Sequence, residues 1–352
     1  MAIHAALLHD QIPADAHVTL VTHREALGQP FDCRVRFEAL DPDLDLGALL
    51  GSTGLVQIWD DVFDADDPVH ARFVHGVFEE AEYLTPLDGE RHLYAVRLRP
   101  ALHGLAYRFR TRIFQQMSPI EAIQRILQEA GVAADTVEWN TETYPPREYV
   151  TQWKESELAF AMRWLEELGI HFFFEHDDTG HKMIVSDRAT QHEPIVGDPA
   201  LVVRERIDEA ARLASDALYE VALEPGPRHN RWFARDWNFR TPDAPREGVA
   251  GEGGRERYEF PGGYPDDAAA QWVSNVRAEE MLHDQNVLTG RTTCRRLVAG
   301  RTFDIAEAGQ DFAIGGYLVT HAEHVFEQTR SGVSQGGRWE TRPPFARSPG
   351  TR

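Results

Sequence analysis

The chain has 352 residues, more than one ordinary domain holds, so two or three packed units are expected, each with its own core. Its 57 acidic against 36 basic residues give a net charge of −21, which repels phosphate backbones and anionic lipid and argues against nucleic acid as a partner. The two cysteines, Cys33 and Cys294, form neither a disulfide framework nor a zinc spacing, and no segment reads as a signal peptide or approaches the ~18 apolar residues of a membrane span.

In "FDCRVRFE", Phe31, Cys33, Val35 and Phe37 alternate with charged residues, a period of two that predicts a half-buried strand and makes Cys33 a small core residue. "LVQIWD", "ARFVHGVFEEAEYL" and "HLYAVRLRP" read likewise, so roughly the first hundred residues predict an antiparallel β unit. Acidic turns, "DPDLDLGALLG" and "DDVFDADDP", lie between them, with one short helical piece. At Ser118 the period changes. Ser118 as N-cap, Pro119 at the first helical position and Glu121 three after the cap form a capping box, Ile120, Ile123, Ile126 and Leu127 make the apolar stripe, and Gly131 ends the helix.

A second helix is capped by Ser156, carries Leu158, Ala161, Met162, Leu165 and Leu168 at helical spacing, and stops at Gly169. "IHFFFEH" and "KMIVSD", joined by "DDTG", predict a hairpin, so residues 110–190 read as an α+β insert. Phe173 faces opposite to Phe172 and Phe174, which implies a strand buried on both faces or one facing a partner subunit. Strand patterns then return in "ALYEVALE", "RWFARDWNF", "TTCRRLVAG", "RTFDIAEA" and "GYLVTHAEHVFEQT", interrupted by a helix over Asp266–His283 with Trp272, Val273, Val276 and Met281 on its apolar side. The Gly- and Pro-rich stretch from Arg240 to Tyr264 reads as a long mobile loop, and residues from Ser331 onward as an extended connector.

Chemistry is sparse. His171, His176 and His181 recur every five residues, and His176, Asp177, Asp178 and His181 could converge on a cation at the hairpin tip, although such a composition is equally that of a solvated turn. His321 and His324 lie on opposite faces of a strand and cannot share one ion. Ser52 in "LGSTG" lacks a nucleophile elbow, no H-E-x-x-H occurs, and "GVAGEGGR" fits neither dinucleotide nor Walker patterns. Paired carboxylates such as Glu79–Glu80 and Glu166–Glu167 are expected by chance in a chain this acidic. No catalytic residue and no cofactor is assigned. A metal-dependent effector using His176 and His181, and a glycan-binding module built on exposed Trp232 and Trp237, stand as alternatives to a structural role.

The segments "FDCRVRFEALDPDLDLGALLG", "RFVHGVFEEAEYL", "YAVRLRPALHGLAYRFRTRIFQQMSPIEAIQRIL", "YPPREYVTQWKESELAFAMRWLEELGIHFFFEH", "FPGGYPD" and "GRTFDIA…GGYLVTHAEH" resemble, in order, the hub portion of VgrG-family type VI secretion tip proteins, relatives of contractile phage tail hubs. The resemblance runs from about residue 25 to 326 and is most specific over Arg112–His176. It implies an α+β, mostly β fold: a first tube β domain (1–108), an α+β insert (109–190), a second tube β domain with a helix and long loop (191–330), and an extended tail (331–352). The tube domains are expected to be barrel-like.

The resemblance further implies a non-enzymatic homotrimer that adapts a hexameric Hcp-like inner tube to a trimeric spike. Its expected partners are an OB-fold and β-helix spike module on the same or a separate chain, baseplate proteins and effectors. No membrane insertion is implied; assembly is expected in the cytoplasm, with ejection by sheath contraction to the outside or into a target cell. The sequence ends soon after the hub, which fits a shortened chain or a split hub, and equally a phage tail or extracellular particle with a separate spike. Interface contacts are expected from Phe31, Val35, Phe37, Tyr94, Val96 and Leu98.

Overall fold

The period of two in the first hundred residues becomes six strands: β1 (Ile3–Leu8), β2 (His17–Ala26), β3 (Gln29–Ala39), β4 (Thr53–Asp60), β5 (Arg72–Pro86) and β6 (His92–Arg99), with a one-turn helix α1 (Leu46–Leu49) before β4. The computed structural model describes residues 3–60, 71–188, 192–204, 216–225, 229–239, 241–264, 266–283, 286–309, 313–328, 338–341 and 344–347. Of the acidic turn "DDVFDADDP", all but Asp60 lies outside the described residues. The strands run in the order β1-β4-β5-β6-β3-β2, each antiparallel to its neighbour. Alternation decides their inner face: Cys33, Val35 and Phe37 lie opposite Leu98, Val96 and Tyr94, all buried, and the Phe37 and Tyr94 rings stack at 5.4 Å.

After a 3₁₀ turn at Ala101–Tyr107 come β7 (Phe109–Met117), α2 (Pro119–Glu129), β8 (Val137–Asn140), β9 (Arg147–Ser156), α3 (Glu157–Glu167), β10 (His171–His176) and β11 (His181–Ser186). The capping box closes as expected: the Ser118 hydroxyl accepts the Glu121 N–H at 3.2 Å and the Glu121 carboxylate accepts the Ser118 N–H at 2.7 Å. Gly131 and Gly169 follow their helices at positive φ, where only glycine is unstrained. On α3 the buried stripe is Phe160, Ala161, Trp164 and Leu165, while Leu158 and Met162 are half-buried at its edge. Helices and hairpin share one hydrophobic core with the first β unit.

The remaining elements are β12 (Ala200–Val203), β13 (Ala217–Pro225), β14 (Arg231–Asp236), β15 (Arg246–Gly251), β16 (Glu256–Glu259), α4 (Asp267–His283), β17 (Asn286–Thr292), β18 (Thr302–Glu307), β19 (Gly315–Val319), β20 (His321–Glu327), β21 (Arg338–Thr341) and β22 (Pro344–Arg347). The order β17-β13-β12-β18-β19-β22 closes on itself, because β22 also pairs with β17, giving a six-stranded barrel around Leu201, Leu218, Leu288, Phe303, Ile305, Tyr317 and Val319. The tail expected as an extended connector thus contributes β21 and β22 to the sheet.

"GYLVTHAEHVFEQT" is divided at Thr320. β19 stays in the barrel, whereas β20 crosses to pair with β2 over Leu20–Ala26, so a single 14-stranded sheet joins both units.

Two further expectations are corrected. Of the Arg240–Tyr264 stretch, the described residues 241–264 are not a long loop: β15 and β16 flank β14 in a three-stranded sheet on which α4 packs. Its glycine density reflects close approach rather than mobility, since a Cβ on Gly248 would lie 2.2 Å from the Ala270 carbonyl of α4. "TTCRRLVAG" leaves the sheet after Thr292, because Arg296 turns to donate to the carbonyls of Val196 and Asp198 at 2.6 and 2.7 Å. Cys33 and Cys294 are both fully buried, and burial pushes the Cys294 thiol up to about 12, so neither is a nucleophile near neutral pH.

Candidate functional site at the junction of the β units

β10 is buried on both faces, as its aromatic run requires. Phe172 and Phe174 enter the first core, with Phe174 edge-on to Phe31 at 5.1 Å, while Phe173 faces the second unit over Gly300. A Cβ on Gly300 would sit 2.3 Å from the Phe173 ring, and Gly300 holds φ +88°. Gly300→Ala is therefore expected to destabilise the fold by about 2–4 kcal/mol through strain plus overpacking. Urea unfolding checks this; a loss below about 1 kcal/mol would contradict so tight a contact. Two ion pairs span the same junction, Arg301 with Glu175 and Arg295 with the fully buried Asp60.

Behind the hairpin lies a buried polar cluster. His23 and His324 face each other across β2 and β20 with rings stacked at 5.8 Å. Glu25 Oε1 takes a hydrogen bond from Arg72 at 2.6 Å and lies 2.9 Å from His324 Nε2, and Arg72 also reaches His23 Nδ1 at 3.2 Å. Glu25 is 5% exposed, so water screens this pair little. Burial drives His23 down to about 3; Glu25 opposes this, and Arg72 and His324 reinforce it. The His324 ring is likewise held well below its ordinary value, by burial first and Arg72 second.

His23, Glu25 and His324 bring three ligand-type atoms within 4.8 Å of one another, a grouping that the sequence reading did not find. The donors do not suit a cation, because the Arg72 guanidinium already supplies the positive charge against Glu25. The two histidines singled out by sequence lie elsewhere in the cluster. His176 Nδ1 accepts the backbone N–H of His75 at 3.2 Å, and His181 Nε2 accepts that of Ala101 at 3.3 Å. Asp177 instead folds back on the tip, accepting the N–H groups of Thr179 and Gly180 at 2.7 and 2.8 Å. The four residues expected around a cation are thus not brought together.

The six interface candidates are also relocated. Phe31, Val35, Phe37, Tyr94, Val96 and Leu98 are each at most 3% exposed inside the chain's own core, where each large side chain is worth about 1.5–3 kcal/mol of burial. The opposite face of those strands is charged and partly exposed. There Asp32 accepts Arg97 at 2.7 Å, Arg97 also reaches Glu80 at 2.6 Å, and Arg24 pairs with Glu323 at 2.7 Å. Burial alone would raise the Asp32 carboxyl, but the Arg97 hydrogen bond and the charges of Arg99, Arg97 and Arg34 hold it below its usual range. Of the two tryptophans offered for glycans, Trp232 is buried under Arg257 and only Trp237 is exposed.

Another buried carboxylate anchors the insert. Glu157, fully buried in the first turn of α3, receives Arg108, Arg110 at 2.9 Å and Arg112 at 3.1 Å, three arginines that alternate along "RFRTR". Their spacing of two was the available sign that they share one face. The outward side of the β7–β9 ribbon carries exposed Phe109, Ile113, Tyr149 and Trp153.

The model of the phage tail baseplate hub family matches residues 24–330, nearly the whole double-unit fold. The chain belongs to that family. Among relatives of this chain are two type VI secretion system spike proteins of Pseudomonas aeruginosa. VgrG4b is 28% identical over 86% of the chain and VgrG5 27% identical over 84%. The chain spans 37% of the length of each. In fold it resembles the E. coli c3393 protein, a type VI secretion component similar to T4 tail proteins gp27 and gp5, with a TM-score of 0.72 at 19% identity over 98% of this chain and 77% of that one. It also resembles a tail protein from Neisseria meningitidis, with a TM-score of 0.65 at 12% identity over 98% and 97% of the two chains. The expected fold class, mostly β with barrel-like units, is the one observed.

Proposed function

We propose that this chain is the structural hub of a contractile injection machine of the type VI secretion kind, a homotrimer that joins a hexameric inner tube to a threefold spike and helps carry effectors. The observation that carries the reading is the pair of six-stranded units held in one sheet. Three such chains place six comparable units around an axis, a ring that meets sixfold symmetry on one side and threefold on the other. The division into a first tube domain, an insert and a second tube domain follows, with β20 crossing between the tube domains as the tie. The role is mechanical rather than catalytic. The ion pairs that brace the junction, Arg295 with Asp60 and Arg301 with Glu175, support it, and so does the family to which the chain belongs.

Contacts with neighbours fall on the outward faces of β3, β5 and β6, among Arg34, Arg36, Glu80, Glu82 and Arg97, and on the apolar β7–β9 ribbon. The spike module, baseplate and effectors remain partners within this proposal. Mass in solution tests it: a trimer is expected, alone or on adding inner-tube or spike protein. A strict monomer at micromolar concentration under all three conditions would sink it.

A further inference from the structure

The hairpin is fastened to the first β unit by hydrogen bonds whose direction depends on imidazole being neutral. The backbone N–H of Ala101 donates to His181 Nε2, so the His181 proton sits on Nδ1, which points at His75 Nδ1 3.1 Å away and donates to it. The backbone N–H of His75 donates to His176 Nδ1. Both hairpin rings therefore spend an acceptor nitrogen on a main-chain donor that cannot turn away. A second proton on either ring would place N–H against N–H, converting a bond into a repulsion.

We propose that His176 and His181 form an acid-release latch, holding the tip half of the β10–β11 hairpin to β5 and the Ala101 turn at neutral pH and letting it go on acidification. The inference stands apart from the hub reading. The groups facing the two rings are His23 and Glu25 from β2, Arg72 and His75 from β5, His324 from β20 and Asp177 at the tip. Of these, Glu25 is already engaged by Arg72 and His324, and Asp177 by its own turn, so neither carboxylate is aimed at the hairpin rings. Phe172 and Phe174 remain in the core, which confines the release to the tip.

The sign is definite. Burial, with His75 second, holds His181 down at about 4, and burial with His23, His181, Arg72 and His75 holds His176 well below 6.5. A histidine lowered on closing contributes its full stability above about pH 6.5 and loses it as pH falls toward 4, because the opened state binds the extra proton. Opening should become about thirtyfold more frequent between pH 7.5 and 5 for His181 alone, and more as His176 joins.

Hydrogen exchange of the His75 and Ala101 amides in the full chain, corrected for intrinsic rate, reads this directly. Protection should fall at least thirtyfold over that range while the α2 amides change far less. The double variant His176→Asn with His181→Gln keeps an oxygen acceptor near each nitrogen and does not titrate, so its two amides should stay protected at pH 5. Unchanged protection of the native amides at pH 5 would overturn the latch, and so would an equal acid loss in the double variant. If that variant does not fold, the native exchange alone decides.

Discussion

Replacing Glu157 by alanine is expected to destabilise the protein by about 3–5 kcal/mol, because three arginines would lose the one carboxylate around which they converge. The side chain is fully buried, and the Glu157 backbone N–H also bonds the Arg108 carbonyl at 2.8 Å, so β7 and the start of α3 are joined at one point. Glu157→Gln should cost less than alanine, since an amide oxygen still accepts from one guanidinium, but it leaves the cationic charge uncompensated. Chemical denaturation measures both. A loss under about 1 kcal/mol for alanine would mean that water or Glu129, which holds Arg112 at 2.6 Å, takes over.

A comparable loss, about 3–5 kcal/mol, is expected for Glu25→Ala, which strands the Arg72 guanidinium between His23 and His324 with both elements of the β2–β20 seam affected. The two substitutions should differ in what they loosen. Glu157 anchors the insert ribbon, whereas Glu25 lies where the second unit's strand joins the first unit's sheet. Exchange protection should therefore fall first along β20 in the Glu25 variant and along β7 and β9 in the Glu157 variant. Arg72→Met alongside Glu25→Leu should recover much of the loss by removing both charges, since a buried pair is replaced with little net cost by apolar groups of similar volume. Failure of that rescue would show that the pair also sets the seam's geometry.

Local rules were legible wherever one face of an element decides its residues. The period of two in "FDCRVRFE" and "HLYAVRLRP" marked the inner face of β3 and β6, and the Ser118–Glu121 box and the glycines after α2 and α3 marked helix ends to within a residue. The same alternation misled about interfaces. An apolar row such as Phe31, Val35 and Phe37 looks identical whether it faces a partner or its own core, because the pattern records burial and not what does the burying. Trp232 failed for the related reason that exposure is a property of packing: α4 and the sheet beneath it cover the ring. Glycine density in Arg240–Tyr264 suggested mobility, yet Gly248 admits the backbone of α4 against the sheet and Gly251 the Asn230 carbonyl.

By itself the sequence determined the strand and helix periods, the caps, the absence of a zinc or nucleophile motif and the family, since each of these resides in residue types at short spacing. Tertiary structure alone decided the rest. β20 leaves its own unit to pair with β2, β22 returns to close the barrel, and Arg72 and His23 join Glu25 and His324, which meet from positions 299 residues apart. Such contacts depend on which strands become neighbours, and pairing across hundreds of residues leaves no periodic trace in either partner strand. His176 and His181 illustrate the division: sequence placed them on a hairpin, and only the fold showed that their acceptors are committed to two backbone donors of the first unit.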